Sequence, residues 1–398
     1  MRTVPKPISV DDYRARVRAL VPATPVTLLP LEQCVGLVLG DDLVAPVSLP
    51  PFDNSAMDGY AVRSVDVADP VVELPVAEDI PAGRTDVVPL RPGTAHRIMT
   101  GAPIPPGADA IVKVEDTDGG TERVTIKAQA APGAHIRRTG EDVAEGATVL
   151  RAGTVLGSPQ LGLASAIGRA ELPVHRPVRV LVLSTGSELV EPGEPLRPGQ
   201  IYESNSVLLA TAVRETGGEA TVLRFVPDDV RAFHDTIAGH LDKVDVLVTS
   251  GGVSAGAYEV VKDSLDGRGV DFLRVAVQPG GPQGSGVFQG LPVVTLPGNP
   301  VSAALSFELF LRPALLAAMG HAVINRPRVK ARSGAELRSP LGRRQYRRGF
   351  LEGEAVAPVG GPGSHLLAAF ASSNCLIEIP EDVDVVAEGD PVTVLVLG

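Results

Sequence analysis

Between residues 178 and 319 the chain alternates apolar runs with amphipathic ones, and that alternation restricts the fold more than any other feature. Val178-Arg179-Val180-Leu181-Val182-Leu183 reads as a buried strand ending in Ser184-Thr185-Gly186. The pattern then predicts a helix over 205–216, stopped by Gly217-Gly218, a strand over 220–225 and a helix over 229–241. A third strand over 244–248 runs into Thr249-Ser250-Gly251-Gly252, a fourth is expected over 272–277, and a long apolar helix over 301–319. Strands and helices alternating at this spacing form a doubly wound α/β domain with a largely parallel sheet. Ligands of such sheets bind beyond the carboxyl ends of the strands.

At 398 residues the chain is too long for that domain alone. Ser9 caps a helix predicted to residue 20, with Val10, Tyr13, Val17 and Leu20 at helical spacing, and a second apolar pattern covers 31–39. After Pro50-Pro51 come short β-branched runs separated by Gly, Pro and Asp turns: Val71-Val72, Arg97-Ile98-Met99, Ala110-Ile111-Val112 and Val124-Thr125-Ile126. A helix is expected over 158–167, and beyond Pro327 only short strands, at 343–351, 376–379 and 392–397. The expected fold is therefore multidomain α/β plus β. It comprises a discontinuous helical/β N-terminal domain (1–45 with 145–176), an inserted β-rich domain (46–144), the α/β domain (177–326) and a C-terminal β domain (327–398), a small barrel or sandwich.

A net charge of −11, no tryptophan and 4% aromatic residues argue against a nucleic-acid partner, which needs cations for phosphate and rings for bases. Cys34 and Cys375 are far apart and lack any C-x-x-C spacing, so they are expected as buried thiols. The seven histidines show no zinc-ligand spacing. No run approaches the ~20 uncharged apolar residues of a membrane span, and Met1-Arg2-Thr3-Val4-Pro5 lacks the apolar region of a signal peptide. A soluble, cytoplasmic protein with no membrane partner is expected.

Three loops at predicted strand ends carry small and polar residues: Ser184-Thr185-Gly186-Ser187-Glu188, Thr249-Ser250-Gly251-Gly252-Val253-Ser254 and Pro297-Gly298-Asn299-Pro300. Such turns aim backbone N–H groups at an anion, so together they suggest a pocket for a phosphorylated or oxyanionic ligand; singly, each also reads as an ordinary tight turn. No P-loop is present, and Gly281-Pro282-Gln283-Gly284-Ser285-Gly286 has the wrong glycine order for a dinucleotide fingerprint. Gly252-Val253-Ser254-Ala255-Gly256 matches a serine-hydrolase elbow, with Asp263 or Asp271 and His321 or His365 as partners, but Ser254 lies six residues past Val248 instead of at the strand-end turn. Asp58, Asp142, Glu188 and Asp228 sit in polar turns and are candidates both for turn capping and for holding a hard cation. Two basic clusters, His135 with Arg137-Arg138 and Arg343-Arg344 with Arg347-Arg348, suit either an oxyanion or a solvated strand face.

Taken in order, the motifs resemble the molybdopterin molybdenumtransferase family (MoeA type), which includes the E domain of gephyrin. The most specific is Pro51-Phe52-Asp53-Asn54-Ser55-Ala56-Met57-Asp58-Gly59-Tyr60-Ala61, followed by Met99-Thr100-Gly101-Ala102-Pro103 and Ile136-Arg137-Arg138-Thr139-Gly140-Glu141-Asp142. The three α/β loops and Asn374-Cys375-Leu376-Ile377-Glu378-Ile379 continue the match to the C-terminus. The resemblance implies an elongated four-domain subunit with a C-terminal β-barrel-like domain, dimerising through its elongated N-terminal domain into a homodimer with its active site between the α/β domain of one subunit and the second domain of the other. It implies transfer of molybdenum from molybdate to adenylylated molybdopterin, with Mg²⁺ and release of AMP, and possible complexes with other molybdopterin pathway proteins. By motif it places Asp58, Thr100, Asp142, Glu188, Asp228 and Glu259 at the catalytic centre, with Asp142, Glu188, Asp228 and Glu259 around Mg²⁺. Ser184, Thr185, Gly186, Ser250, Gly251, Gly252, Pro297, Gly298, Asn299 and Pro300 would hold the pterin and its phosphates, and Arg274, Gln278, Arg348 and Ser364 the oxyanion side.

The chain departs from the family at two places. Glu259 stands where the family has Asp. The usual Lys-x-x-x-Lys-Pro-Gly-Lys-Pro becomes Arg274-Val275-Ala276-Val277-Gln278-Pro279-Gly280-Gly281-Pro282, so two lysines are replaced by Gln278 and Gly281. A family member that binds the pterin, or acts as a scaffold, without inserting metal is the alternative these losses raise; the serine hydrolase is a distant third.

Overall fold

The computed structural model describes residues 6–223, 229–252 and 260–397. It divides into two compact units, one of Met1–Leu28, Gly36–Gly40 and Pro173–Gly398, the other of Leu29–Val35 and Asp41–Leu172.

The first unit is built on a six-stranded sheet in the order Glu219–Leu223, Arg179–Ser184, Val246–Ser250, Leu291–Leu296, Pro282–Phe288, Val270–Arg274. The first three pairings are parallel. The central strands are apolar without alternation because both faces are covered. Val180, Val182, Val246, Val248, Val294 and Leu296 meet Phe307 and Phe310 on one face, while Leu181, Leu183, Leu247 and Val293 meet Phe233, Ile237 and Val261 on the other.

The far edge differs from the sequence expectation. The strand expected at 272–277 spans Val270–Arg274 and runs antiparallel to its neighbour. The glycine-rich stretch after Gly281 is itself the strand Pro282–Phe288, antiparallel to both neighbours. Its glycines hide it from apolar patterning, yet they are there for close packing. A Cβ at position 284 would lie 2.2 Å from Thr295 Oγ1, and one at 286 only 2.0 Å from the Gly269 carbonyl oxygen.

Ser9 caps the helix Val10–Leu20, accepting from the Asp12 amide at 3.0 Å. The helix packs on the α/β core: the Tyr13 ring stands edge-on to Phe310 with centroids 4.8 Å apart, and its hydroxyl donates to the Gly284 carbonyl at 3.1 Å. The segment Pro300–Ala318 is long and apolar enough to cross a membrane, but 83% of its apolar window is buried, so it is a core helix. It carries Glu308, which accepts from Arg326 at 2.8 and 3.1 Å.

Residues from 328 onward close into a barrel. Arg344–Glu352, Ala355–Pro358, Arg328–Ser333, Pro391–Val396 and Cys375–Ile379 pair in that order, and Cys375–Ile379 returns to pair with Arg344–Glu352. Closure removes the free edges that short strands would otherwise expose. Its interior holds Ala331, Val356, Ile377, Ile379, Val392 and Val394 together with Cys375, whose thiol burial pushes up to about 11. Both cysteines are free and buried. The short strand Val277–Gln278 joins this sheet, parallel to the start of Arg344–Glu352.

The second unit contains a five-stranded sheet in the order Ala110–Lys113, Gly59–Val62, Ala95–Ile98, Val72–Ile80, Arg123–Ile126, as the alternating β-branched runs predict. Tyr60, Val62, Val112 and Val124 pack on one face, Ala61, Ile98 and Ile111 on the other. Gly59 is required by its neighbour, since a Cβ there would lie 2.0 Å from the Val112 carbonyl oxygen. The helix Ser158–Ala166 follows.

Candidate active site

Strand register assembles the site. Ser184 lies opposite Ser250, and Ser250 opposite Leu296, so three parallel strands end at one level and their loops leave together. These loops line a single cavity of about 670 Å³: Ser184, Thr185, Gly186 and Glu188 from the first, Ser250, Gly251 and Gly252 from the second, Pro297, Gly298, Asn299 and Pro300 from the third. Ser364, from the C-terminal domain, lines it as well. Gly251 and Gly252 have φ of 91° and 68°, a pair of left-handed conformations that only glycine adopts readily. That sequence turns the backbone tightly enough for the Gly251 Cα to approach to 3.4 Å of a Cβ position on Gly298.

Asn205 ties these loops together, and the sequence reading passed over it as the first residue of a helix. Its Nδ2 donates to Ser250 Oγ at 2.7 Å and to the Gly298 carbonyl at 2.6 Å. The Gly298 carbonyl can only accept, which fixes the amide orientation. The other end, Asn205 Oδ1, is buried with no partner among the described residues, and Asn205 lines the cavity. Buried acceptors are normally satisfied, so this oxygen asks for a donor from a ligand or water. Ser184 Oγ is likewise buried and unpartnered. The signal was the polar run Glu203-Ser204-Asn205 directly before an apolar helix.

Among the described residues two carboxylates line the cavity, Glu188 and Glu203. Glu203 is 1% exposed and already accepts from the Ser206 amide at 2.8 Å and hydroxyl at 2.5 Å. Glu188 folds back over Gly186, where a Cβ would meet its carboxylate oxygens at 2.8 and 2.9 Å. Mg²⁺ keeps several waters and takes one or two carboxylates beside substrate phosphates. Glu188, with the cavity's hydroxyls, fits that donor set. Asp228, Glu259 and Ser254 lie outside the described residues, and no group of three His, Cys, Asp or Glu side chains gathers among the described ones.

Arg348 does not line the cavity. It is 3% exposed and donates from Nη1 to the Gly363 carbonyl at 3.1 Å and from Nη2 to the Gly361 carbonyl, which holds the turn that presents Ser364. Arg274 and Gln278 line a second, smaller cavity of about 310 Å³, which shares Pro279, Gly280 and Pro282 with the first.

In the second unit Asp58 and Thr100 are brought together: the Thr100 amide and hydroxyl donate to Asp58 Oδ1 at 2.7 and 2.8 Å. The amide first, then the hydroxyl, holds the Asp58 carboxyl below the usual range. Asp142 is exposed, its amide donating to the Leu49 carbonyl at 3.0 Å. Arg138, from one basic cluster, pairs with Asp53 at 2.7 Å, and Arg344, from the other, with Asp11 and Glu381 at 3.0 Å each.

A doubly wound sheet with three small-residue loops around one polar cavity beyond its strand ends has the architecture of a small-molecule-binding α/β protein. Family models match three segments: the MoeA N-terminal region (domain I and II) at 8–168, the probable molybdopterin binding domain at 181–317 and the MoeA C-terminal region (domain IV) at 330–397. The chain is 55% identical over 395 residues to molybdopterin molybdenumtransferase 2 of Mycobacterium tuberculosis, covering 96% of this chain and 97% of that one. It is 36% identical to molybdopterin molybdenumtransferase 1 of the same organism, covering 98% and 99%. The molybdopterin biosynthesis MoeA protein from Pyrococcus horikosii superposes with a TM-score of 0.85 at 33% identity, covering 99% of this chain and all of that one. The chain belongs to the molybdopterin molybdenumtransferase family.

Proposed function

We propose that this protein is a molybdopterin molybdenumtransferase of molybdenum cofactor biosynthesis. It takes adenylylated molybdopterin and molybdate, releases AMP and leaves molybdenum on the pterin's dithiolene sulfurs. The observation that carries the reading is the convergence of the three strand-end loops and Ser364 on one polar cavity, in a chain of this family. The dithiolene supplies the metal's ligands, which agrees with a cavity whose described lining is of hydroxyls, amides and two carboxylates, with no thiol or imidazole among the described residues.

In this reading the backbone amides of Gly252 and Gly298 and the hydroxyls of Ser184 and Ser250 hold the pterin and its phosphates; the Gly251 amide, which donates to the Leu296 carbonyl at 3.1 Å, and Asn205 fix the loops that carry them. Mg²⁺, held at Glu188, would neutralise phosphate charge as the anhydride is cleaved. Asp58, Asp142, Asp228 and Glu259 join the catalytic set by motif. A cytoplasmic homodimer is part of the proposal.

The test is AMP release from adenylylated molybdopterin with Mg²⁺ and molybdate. Wild type releases AMP, and Glu188→Gln slows release by at least tenfold with a raised Mg²⁺ requirement. A wild type that binds the pterin without releasing AMP overturns the reading. It would support the second reading, a pterin binder without metal insertion, which Gln278 and Gly281 in place of lysines favour.

A further inference from the structure

Asp58, Thr100 and Asp142 of the second unit lie on three separate loops, and Asp53 joins all three. It belongs to the first loop and bonds to the other two. Its carbonyl accepts from the Ile104 amide at 3.1 Å. That seam continues toward Thr100: the Ser55 amide donates to the Ala102 carbonyl at 3.0 Å and the Gly101 amide to the Ser55 carbonyl at 2.8 Å. The Asp53 side chain takes the third loop. Oδ1 accepts from the Thr139 amide at 2.8 Å and its hydroxyl at 3.0 Å, and Oδ2 from Arg138 Nη1 at 2.7 Å. The Thr139 amide first, then Arg138, hold the carboxyl below its usual range, so it is charged at neutral pH.

The loop held in this way is a closed piece. The Glu141 amide donates to the Arg138 carbonyl at 3.0 Å, and the Arg138 amide to Glu141 Oε2 at 2.9 Å. Its main chain docks on the strip before Asp53, with the Asp142 amide on the Leu49 carbonyl and the Gly140 amide on the Pro50 carbonyl, both at 3.0 Å. Among the described residues, Asp53 supplies the side chain that ties 138–142 to 49–58. Asp142 is exposed and its carboxylate has no partner among the described residues, so its position depends on how firmly this turn is docked. The Asp53 and Arg138 side chains are 37% and 57% exposed, and pairs that open to water add little to global stability. A carboxylate taking three donors from one turn acts instead by restricting where that turn sits.

We propose that Asp53 is a positioning residue for the transfer reaction: through Thr139 and Arg138 it fixes the turn that presents Asp142, while its main chain holds the loop of Thr100. The catalytic part of this inference rests on the function proposed above and on the place of Asp142 in it; the docking of the turn does not.

The experiment combines kinetics with hydrogen exchange on the whole purified chain. Asp53→Ala is expected to lower kcat for AMP release by about tenfold or more with little change in melting temperature. Affinity for adenylylated molybdopterin is expected to stay within about threefold, because the pterin cavity is lined by residues of the other unit. Asp53→Asn keeps an acceptor for Thr139 but loses the charge that pairs with Arg138, so its loss is smaller; should Asp53→Ala fail to fold, it carries the same comparisons. In an Asp142→Asn background the Asp53 substitution is expected to change kcat by less than about twofold, whereas a residue needed only for folding would cost as much there as in wild type. Amide exchange at 139–142 is expected to rise by about tenfold or more, with 101–104 unchanged because the main chain of Asp53 holds it.

Wild-type kcat in the folded Asp53 variant, an equal loss in the Asp142→Asn background, or unchanged exchange at 139–142 overturns the proposal. An Asp142→Asn enzyme as fast as wild type overturns it too, by removing the residue that Asp53 positions. A wild type that releases no AMP overturns the function instead, and the exchange result then decides the docking of the turn by itself.

Discussion

The amide of Val301 donates to the carbonyl of Ser364 at 3.2 Å, joining the first turn of the core helix to a loop of the C-terminal barrel. That bond places Ser364 beside the Pro297–Pro300 turn, so two domains of one unit contribute to one cavity. Arg348 secures the arrangement from beneath by holding the Gly361 and Gly363 carbonyls.

Removing that support should loosen the loop before it unfolds the barrel. Arg348→Ala strips two carbonyls of a charged donor, at roughly 1.5–3 kcal/mol for such bonds. The expected outcome is a stability loss of about 2 kcal/mol in urea unfolding. It should also raise KM for adenylylated molybdopterin more than it lowers kcat, because Arg348 itself does not reach the cavity.

Asn205→Asp keeps the size of the side chain but replaces a donor amide with an acceptor. The Gly298 carbonyl and Ser250 then lose their shared partner, and a negative charge enters a cavity meant for phosphates. Affinity for adenylylated molybdopterin should fall by about tenfold or more, a loss of at least ~1.4 kcal/mol by calorimetry. Asn205→Ala should lose less.

Asp245 gives a pH dependence with a defined sign. Burial acts to raise its pKa, but two-point pairing with Arg176 at 2.7 and 2.8 Å, with further bonds from Arg179, outweighs it and holds the carboxyl well below the usual range. Its stabilisation is therefore complete above about pH 4, the unfolded carboxylate value, and is lost as pH falls through and below it. Asp245→Asn should melt well below wild type at pH 7, by about 2 kcal/mol of stability, and the gap should narrow at pH 3.

Gly286→Ala tests whether the hidden strand is placed correctly. A methyl group there meets the Gly269 carbonyl oxygen at 2.0 Å and the Val270 Cα at 2.7 Å, both backbone of the neighbouring strand, with no flexible side chain to yield. Overpacking of this kind costs roughly 1–3 kcal/mol or more. A variant melting as wild type does would contradict the antiparallel edge of the sheet.

The central sheet was legible because strands buried on both faces must be written in Val, Leu and Ile, and the three ligand loops because small residues follow those strands directly. The edge was not legible. Pro282–Phe288 is written in glycines that exist for contact with Thr295 and Gly269, neighbours distant or hidden in the chain, and no local pattern reports them. Asn205 was missed for a related reason: helix periodicity accounts for its position, and only tertiary structure shows its amide reaching Ser250 and Gly298. Arg348 is expected at the oxyanion by motif, whereas its guanidinium binds the Gly361 and Gly363 carbonyls, contacts that only tertiary structure reveals.

The most direct test of the account is a molybdate titration of the purified protein with adenylylated molybdopterin and Mg²⁺, quantifying free AMP and pterin-bound molybdenum in the same samples. The account predicts that both rise together, one AMP for each molybdenum inserted, and saturate with molybdate. Tightly bound pterin with neither AMP release nor molybdenum insertion at any molybdate concentration would contradict it.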